Sequence, residues 1–299
     1  MLAHELYTTE RKILYKEIES ISGDLCAVPY AVIKGEALSQ QIYGVTDRRR
    51  SGDIDILIDK SNVKALEEFL QKNGFRQQVP QRSGGERLHR ILCMAYSHQI
   101  PSYHKDKLGF HLNVDVNYDI FWGEYEGQRC SMAEFLCDTE ETYIYGVRVK
   151  TLSLEKAFLQ LILHHYKEMN SLYHLHHYNC IRTDLFRDIH DMLILRKECL
   201  TVKTVVALAH KYAIGGIMYY MLFYTDRVFP GELDAYLLAL EDKREEAIMD
   251  SFGLCSKERK VWRIPFEKRL DNDEIWSHVK DELTEADLRK VERNAYVFT

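Results

Sequence analysis

The sequence predicts an α+β protein in which a mixed sheet with flanking helices is followed by a helical C-terminal half. Three observations carry this. Short β-prone runs are interleaved with helical segments as far as about residue 150, and two of those runs alternate at period two. From Leu152 onward the apolar spacing is helical almost to the end. This change of period sets the expected domains at 1–150 and 151–299.

In chain order, Leu6, Ile13, Leu14, Ile18 and Ile21 recur at helical spacing through a charged segment, as an amphipathic helix requires. Tyr30-Ala31-Val32-Ile33, after Pro29, is a short strand; Lys34-Gly35 turns the chain into a helix from Glu36 that Gly44 closes. A basic turn, Asp47 to Gly52, leads into Asp53-Ile54-Asp55-Ile56-Leu57-Ile58-Asp59, a strand whose two faces differ in polarity. Ser61 is a candidate cap for a helix from Val63 to Lys72, which Asn73-Gly74 terminates. Glu86 to His98 is expected as a strand and Ile100 to Gly109 as a polar, hairpin-like connection. Phe110 to Ile120 alternates strictly around Val114 and Val116, and Thr142 to Lys150 reads as one more short strand. Leu154 to Lys167, Thr183 to Cys199 and Val202 to Tyr212 read as helices.

Composition excludes several classes. At 299 residues, 46% hydrophobic and 29% charged, the chain has the make-up of a soluble globular protein. Its net charge of −6 lacks the basic excess that binds a nucleic-acid backbone without specificity. Seven cysteines, Cys26, Cys93, Cys130, Cys137, Cys180, Cys199 and Cys255, are scattered singly, so neither a disulfide framework nor a thiolate zinc site is expected, and a reducing cytoplasm fits. The amino-terminal segment has no apolar leader core, and no stretch reaches the roughly 18 apolar residues of a membrane span.

The chemistry concentrates in the acidic strand. Side chains two apart on a strand share a face, so Asp53 and Asp55 project together while Ile54 and Ile56 face the core. Carboxylates held that close repel unless a hard cation neutralises them, and Mg²⁺ takes oxygen ligands of this kind. By the same alternation Asp115 and Asn117 share a face of the later strand, and Asp115 is a candidate third ligand. Upstream, Lys34-Gly35 stands at a helix start, where free N–H groups favour a phosphate and glycine permits close approach.

Lys34-Gly35-Glu36-Ala37-Leu38, Tyr43, Arg49-Arg50-Ser51-Gly52-Asp53-Ile54-Asp55-Ile56-Leu57-Ile58 and Gly74-Phe75 resemble the signature of a little-characterised bacterial nucleotidyltransferase family. In that family, part of the DNA polymerase beta superfamily, a KG-helix precedes R-x-x-x-DIDLLV. Val114-Asp115-Val116-Asn117-Tyr118 is similar to the family's D-L-H-W strand, with Asn117 where histidine is usual. Thr151 to Glu155 and the helix containing His164 are similar to its downstream region, with Leu154 in place of a proline. Abortive-infection nucleotidyltransferase toxins share KG-x-x-x-L plus R-x-S-x-DIDL, and Arg187-Asp188-Ile189-His190-Asp191 looks like their R-D-x-x-D helix.

The resemblance implies a polymerase-beta-like sheet and transfer of a nucleoside monophosphate from an NTP, ATP among them, with pyrophosphate leaving. Asp53, Asp55 and Asp115 would hold two Mg²⁺ ions, or Mn²⁺, and Asp115 could take the acceptor's proton. Lys34, Gly35, Arg49 and Ser51 would bind the nucleotide, Arg49 by a bidentate phosphate contact, whereas Arg48 and Arg50 read as solvated. His164, Asp188 and Asp191 are placed on the acceptor side, the acceptor being a small molecule, peptide or protein in preference to RNA.

Other readings remain open at this point. His164-His165 and His174, His176 and His177 read as polar helix surface or satisfied core, since neighbouring histidines diverge on a helix and no cysteine pair completes a zinc site. The aromatic residues between Tyr166 and Phe186 read as core. A sugar-nucleotide-binding DxD enzyme, an inactive nucleotide-binding module and a toxin acting on tRNA are the rival functions.

Overall fold

The two strands that carry alternating carboxylates lie side by side at the centre of a seven-stranded sheet. The computed structural model describes residues 2–24, 28–78, 86–122 and 129–298, so Cys26 lies outside the described residues. In chain order the first half comprises α1 (Leu2–Asp24), β1 (Tyr30–Ile33), α2 (Gly35–Tyr43), β2 (Ile54–Ile58), α3 (Val63–Lys72), β3 (Arg76–Gln77) and α4 (Glu86–Tyr96). Then come β4 (Tyr103–Lys107), β5 (Phe110–Asn117), α5 (Met132–Phe135), β6 (Glu140–Ile144), β7 (Val147–Thr151) and α6 (Leu154–Asn170).

The sheet order is β3-β4-β5-β2-β1-β7-β6. It is mixed: β2 runs antiparallel to β1 and parallel to β5, and β1 runs parallel to β7. The aliphatic positions of β2 and β5, Ile54, Ile56, Val114 and Val116, are buried with Val32 of β1, Leu14 and Ile18 of α1, and Leu66 and Leu70 of α3. Each such side chain removed from water contributes about 1.5–3 kcal/mol, and this layer fixes the opposite, acidic face of β2 and β5.

Four local expectations are corrected. Glu86 to His98 contains helix α4 and not a strand. Its good helix formers agree with that state, and it buries His89 and Cys93, four apart, while Leu88 and Ile91 point outward. The connection Ile100 to Gly109 contains β4, which pairs with β5 through a two-residue turn at Leu108 (φ 53°) and Gly109 (φ 84°). Thr142 to Lys150 spans parts of two strands, β6 and β7, turned at Tyr145 (φ 51°) and Gly146 (φ 81°). Both turns have the two positive φ values of a tight hairpin but lack the Asn-Gly or Asp-Gly pair that advertises one. Finally, Asp59 and not Ser61 supplies the capping oxygen before α3, accepting from the Ser61 amide at 2.8 Å.

In the second half α7 (Leu172–Tyr178), α8 (Thr183–Leu195), α9 (Val202–Lys211), α10 (Gly215–Val228) and α11 (Asp234–Leu240) follow. A two-stranded sheet of β8 (Ser251–Phe252) and β9 (Lys260–Val261) then interrupts the helices, which resume as α12 (Ile275–Val279) and α13 (Glu285–Phe298). α10, apolar on most sides, packs against α8, α9 and α11 and buries Met218, Tyr220, Met221, Leu222 and Tyr224. The chain divides into two compact units, Met1–Phe121 with Arg129–Ala157, and Trp122–Gln128 with Phe158–Thr299. Among the described residues no helix is long and apolar enough to cross a membrane.

Candidate active site

The parallel pairing of β2 with β5 sets Ile54 opposite Val114, Asp55 opposite Asp115 and Ile56 opposite Val116. Adjacent strands stand about 4.8 Å apart, so Asp55 and Asp115 are lateral neighbours, and Asp53, just before β2, lies close enough for the charges of Asp55 and Asp115 to interact with it. The period-two alternation that predicts each strand therefore also gathers its acids.

Protein donors already engage this face. Lys34 follows the last residue of β1, and its Nζ lies 2.7 Å from Asp55 Oδ1. Asn117 Nδ2 donates to the same oxygen at 3.0 Å. Ser51 Oγ donates to Asp53 Oδ1 at 2.7 Å. Burial works against the charged form of Lys34, yet Asp55, backed by Asp53 and Asp115, outweighs it and holds the ammonium pKa above the usual lysine value. Burial and the Asp55 charge raise the Asp53 pKa against the Ser51 hydrogen bond. Asp115 keeps some accessible surface, but the protein surrounds its carboxyl closely enough that burial, then Asp55 and Asp53, push it to about 7. One ammonium does not balance three carboxylates.

Hard oxygen donors with uncompensated negative charge fit a divalent cation such as Mg²⁺. Asn117 adds a further oxygen: it is fully buried, and its Oδ1 has no hydrogen-bond partner. The oxygens of the three carboxylates do not all come within 4.8 Å of one another, and Lys34, Asn117 and Ser51 hold individual oxygens of Asp55 and Asp53. A cation here would compete with Lys34 for Asp55.

The turn that precedes the acids is shaped by Gly35. Lys34 (φ 59°) and Gly35 (φ 40°) both have left-handed φ, and α2 starts at Gly35. A Cβ on Gly35 would lie 3.0 Å from Ser51 Cβ, so glycine here makes room for the residue that holds Asp53. Arg49 is half-buried in the basic turn between α2 and β2, and its amide donates to Ser39 Oγ at 3.3 Å. Exposed Arg48 lies over the Tyr43 ring at 4.0 Å, and exposed Arg50 over Tyr7 at 5.4 Å.

A second layer of residues has no counterpart in the sequence reading. Arg11 of α1 and Glu36 of α2, each with a side chain 1% exposed, form a two-pronged pair, Nε to Oε1 at 2.6 Å and Nη2 to Oε2 at 2.8 Å. Nη2 also donates to the Asp53 carbonyl at 2.6 Å. Tyr7 donates to Glu36 at 2.8 Å and accepts the Ser51 amide at 2.9 Å, while Tyr15 donates to Glu36 at 3.3 Å. One available signal was the position of Arg11 inside the helical stripe Tyr7, Leu14, Tyr15 and Ile18, where a charge is costly unless paired.

In the second unit His164, Asp188 and Asp191 occupy α6 and α8. His164 Nε2 lies 3.3 Å from Glu168 Oε1, and Asp188 Oδ2 lies 3.6 Å from His165 Nε2. Asp191 instead pairs with His190 at 3.2 Å. His174 packs edge-on to Trp122 at 4.5 Å, His176 edge-on to Trp276 at 4.8 Å, and His177 stacks on Tyr173 at 5.5 Å. Tyr166, Tyr173 and Phe186 are buried in the core, whereas Tyr178 is exposed.

A family model described as an uncharacterised nucleotidyltransferase matches residues 3–230. No curated protein matches the chain. Among solved structures the chain is similar to an antigenic nucleotidyltransferase-like protein from Paracoccidioides brasiliensis, at 18% identity and a TM-score of 0.37, over 69% of this chain and 91% of that one.

Proposed function

The chain belongs to the uncharacterised nucleotidyltransferase family, and from that premise we propose that it transfers a nucleoside monophosphate from an NTP to an acceptor in a Mg²⁺-dependent reaction. The observation that carries the reading is the register that puts Asp55 beside Asp115, with Asp53 just before β2. Asp53, Asp55 and Asp115 would hold the metal, which when bound supplies charge neutralisation to the attacking and leaving oxygens.

The chain's own groups then have separate tasks. Lys34, displaced from Asp55, moves its ammonium onto a phosphate oxygen, and Arg49 supplies a second cation from the turn. Amides at the start of α2, which no side chain caps, receive phosphate oxygens. Asp115 is the carboxylate that accepts the proton of the acceptor hydroxyl or amine as the acceptor's lone pair bonds to the α-phosphorus. The bond from that phosphorus to the bridging oxygen breaks, and pyrophosphate departs. Net charge −6 favours a small-molecule, peptide or protein acceptor over RNA.

The test is mass spectrometry of metabolite, peptide and tRNA pools incubated with the four NTPs and Mg²⁺, alongside pyrophosphate release. A monophosphate mass increment is expected with the parent and lost in Asp53→Asn and Asp55→Asn at unchanged far-UV circular dichroism. Near-full turnover by either variant rules the assignment out.

A further inference from the structure

Histidines at neighbouring helix positions diverge by about 100° and do not converge unaided. In α6 a third residue joins them. Glu168 lies four residues after His164 and three after His165, one turn along and between the two. The ligand-type atoms of these three residues lie within 4.8 Å of one another, and among the described residues no other His, Cys, Asp or Glu trio is so close. His164 Nε2 is 3.3 Å from Glu168 Oε1, and His165 Nδ1 is 3.3 Å from Glu168 Oε2. Donor atoms about 2.0–2.1 Å from a tetrahedral zinc stand roughly 3.3–3.4 Å apart, so small side-chain rotations bring three atoms that already lie within 4.8 Å of one another onto one ion.

The surroundings support a ligand and not only an ion pair. His165 is 2% exposed, and its Nε2 has no hydrogen-bond partner but faces Asp188 Oδ2 of α8 at 3.6 Å. A metal-bound histidine characteristically turns its other ring nitrogen toward a carboxylate, which orients the ring and makes it a better donor. Two imidazoles and one carboxylate, unlike the all-oxygen set of Asp53, Asp55 and Asp115, suit a transition-metal dication better than Mg²⁺.

We propose that His164, His165 and Glu168 form a binding site for a transition-metal dication of the zinc class, with Asp188 orienting His165. Its ligand set and metal class are independent of the proposed transfer reaction.

Zn²⁺ titration of the metal-stripped full chain, in competition with a chromophoric chelator, tests this. With excess Mg²⁺ present to occupy the acidic face, the parent should bind one tight equivalent of Zn²⁺, with a rise in melting temperature. Asp188→Asn should weaken binding about 10–100-fold, and His164→Ala and Glu168→Gln should weaken it more. Glu168→Gln preserves volume, so circular dichroism separates lost binding from lost folding. Asp55→Asn should bind Zn²⁺ like the parent, and Mg²⁺ should not compete. Absence of Zn²⁺ binding by the parent, parent-like affinity in both His164→Ala and Glu168→Gln, or loss of the site in Asp55→Asn would each overturn the proposal.

Discussion

The Lys34 ammonium, at the end of β1, lies 2.7 Å from Asp55 Oδ1 in β2. The sequence places a lysine before a glycine at a helix start and suggests a phosphate ligand, yet without substrate the lysine pairs with one of the three acids. Lys34→Met should therefore leave Asp55 short of charge compensation, at a cost of about 3–5 kcal/mol for removing one partner of a largely buried pair. Melting in EDTA should show the loss, excess Mg²⁺ should recover most of it, and the KM for NTP should rise. A loss that Mg²⁺ leaves untouched would mean that no cation takes over from Lys34 at Asp55.

Asp115 gives the apo protein a pH dependence of definite sign. Its carboxyl stands at about 7 in the fold against 3.8 ordinarily, so between those values the folded state binds more protons than the unfolded. Its contribution is fully present below pH 3.8 and disappears as pH rises through about 7. In EDTA, Asp115→Asn should flatten the stability profile and melt higher than the parent at pH 8. Mg²⁺ should reverse that order by stabilising the parent more. Parallel profiles for parent and variant would show that Asp115 does not titrate in this range.

Removing Arg11 strands a buried Glu36 and the Asp53 carbonyl together. Arg11→Leu and Glu36→Leu should each destabilise the chain in urea, Arg11→Leu by about 3–5 kcal/mol, and the Arg11→Leu/Glu36→Leu double variant should recover part of the summed loss. Additive losses in the double variant would show that the two side chains do not act as a pair.

Gly35→Ala should combine two costs, about 1–2 kcal/mol for a left-handed Cβ and the displacement of Ser51, whose Cβ lies 3.0 Å from the added atom. Gly109→Ala, also left-handed at φ +84° but with nothing within 4 Å, isolates the first cost. Equal shifts in melting temperature for the two variants would remove Ser51 from the account.

How far the sequence exposed all this depends on range. Asp53, Asp55 and Asp115 were legible because a strand's period is short and alternation announces both its state and its faces. The two hairpins were less so, since Leu108-Gly109 and Tyr145-Gly146 fill conformations usually marked by asparagine or aspartate. α4 was misread because a short run of apolar and basic residues does not separate the two periods. The Arg11–Glu36 pair depends on which helix faces meet, and no local pattern encodes that, whereas His164, His165 and Glu168 sit one turn apart on a single helix and only the carboxylate between the two histidines went unnoticed.

The two-pronged contact between Arg11 and Glu36 also constrains how this sequence can drift. Each side chain is tolerable in an apolar interior only while the other is present, so a change at one position selects for a change at the other, 25 residues away. In an alignment of relatives the two positions should covary, with Arg-Glu giving way to apolar pairs and seldom to a lone charge. Chains that have exchanged the pair would then need another donor for the carbonyl at position 53, and its identity would show how the start of the acidic strand is held in place without a guanidinium.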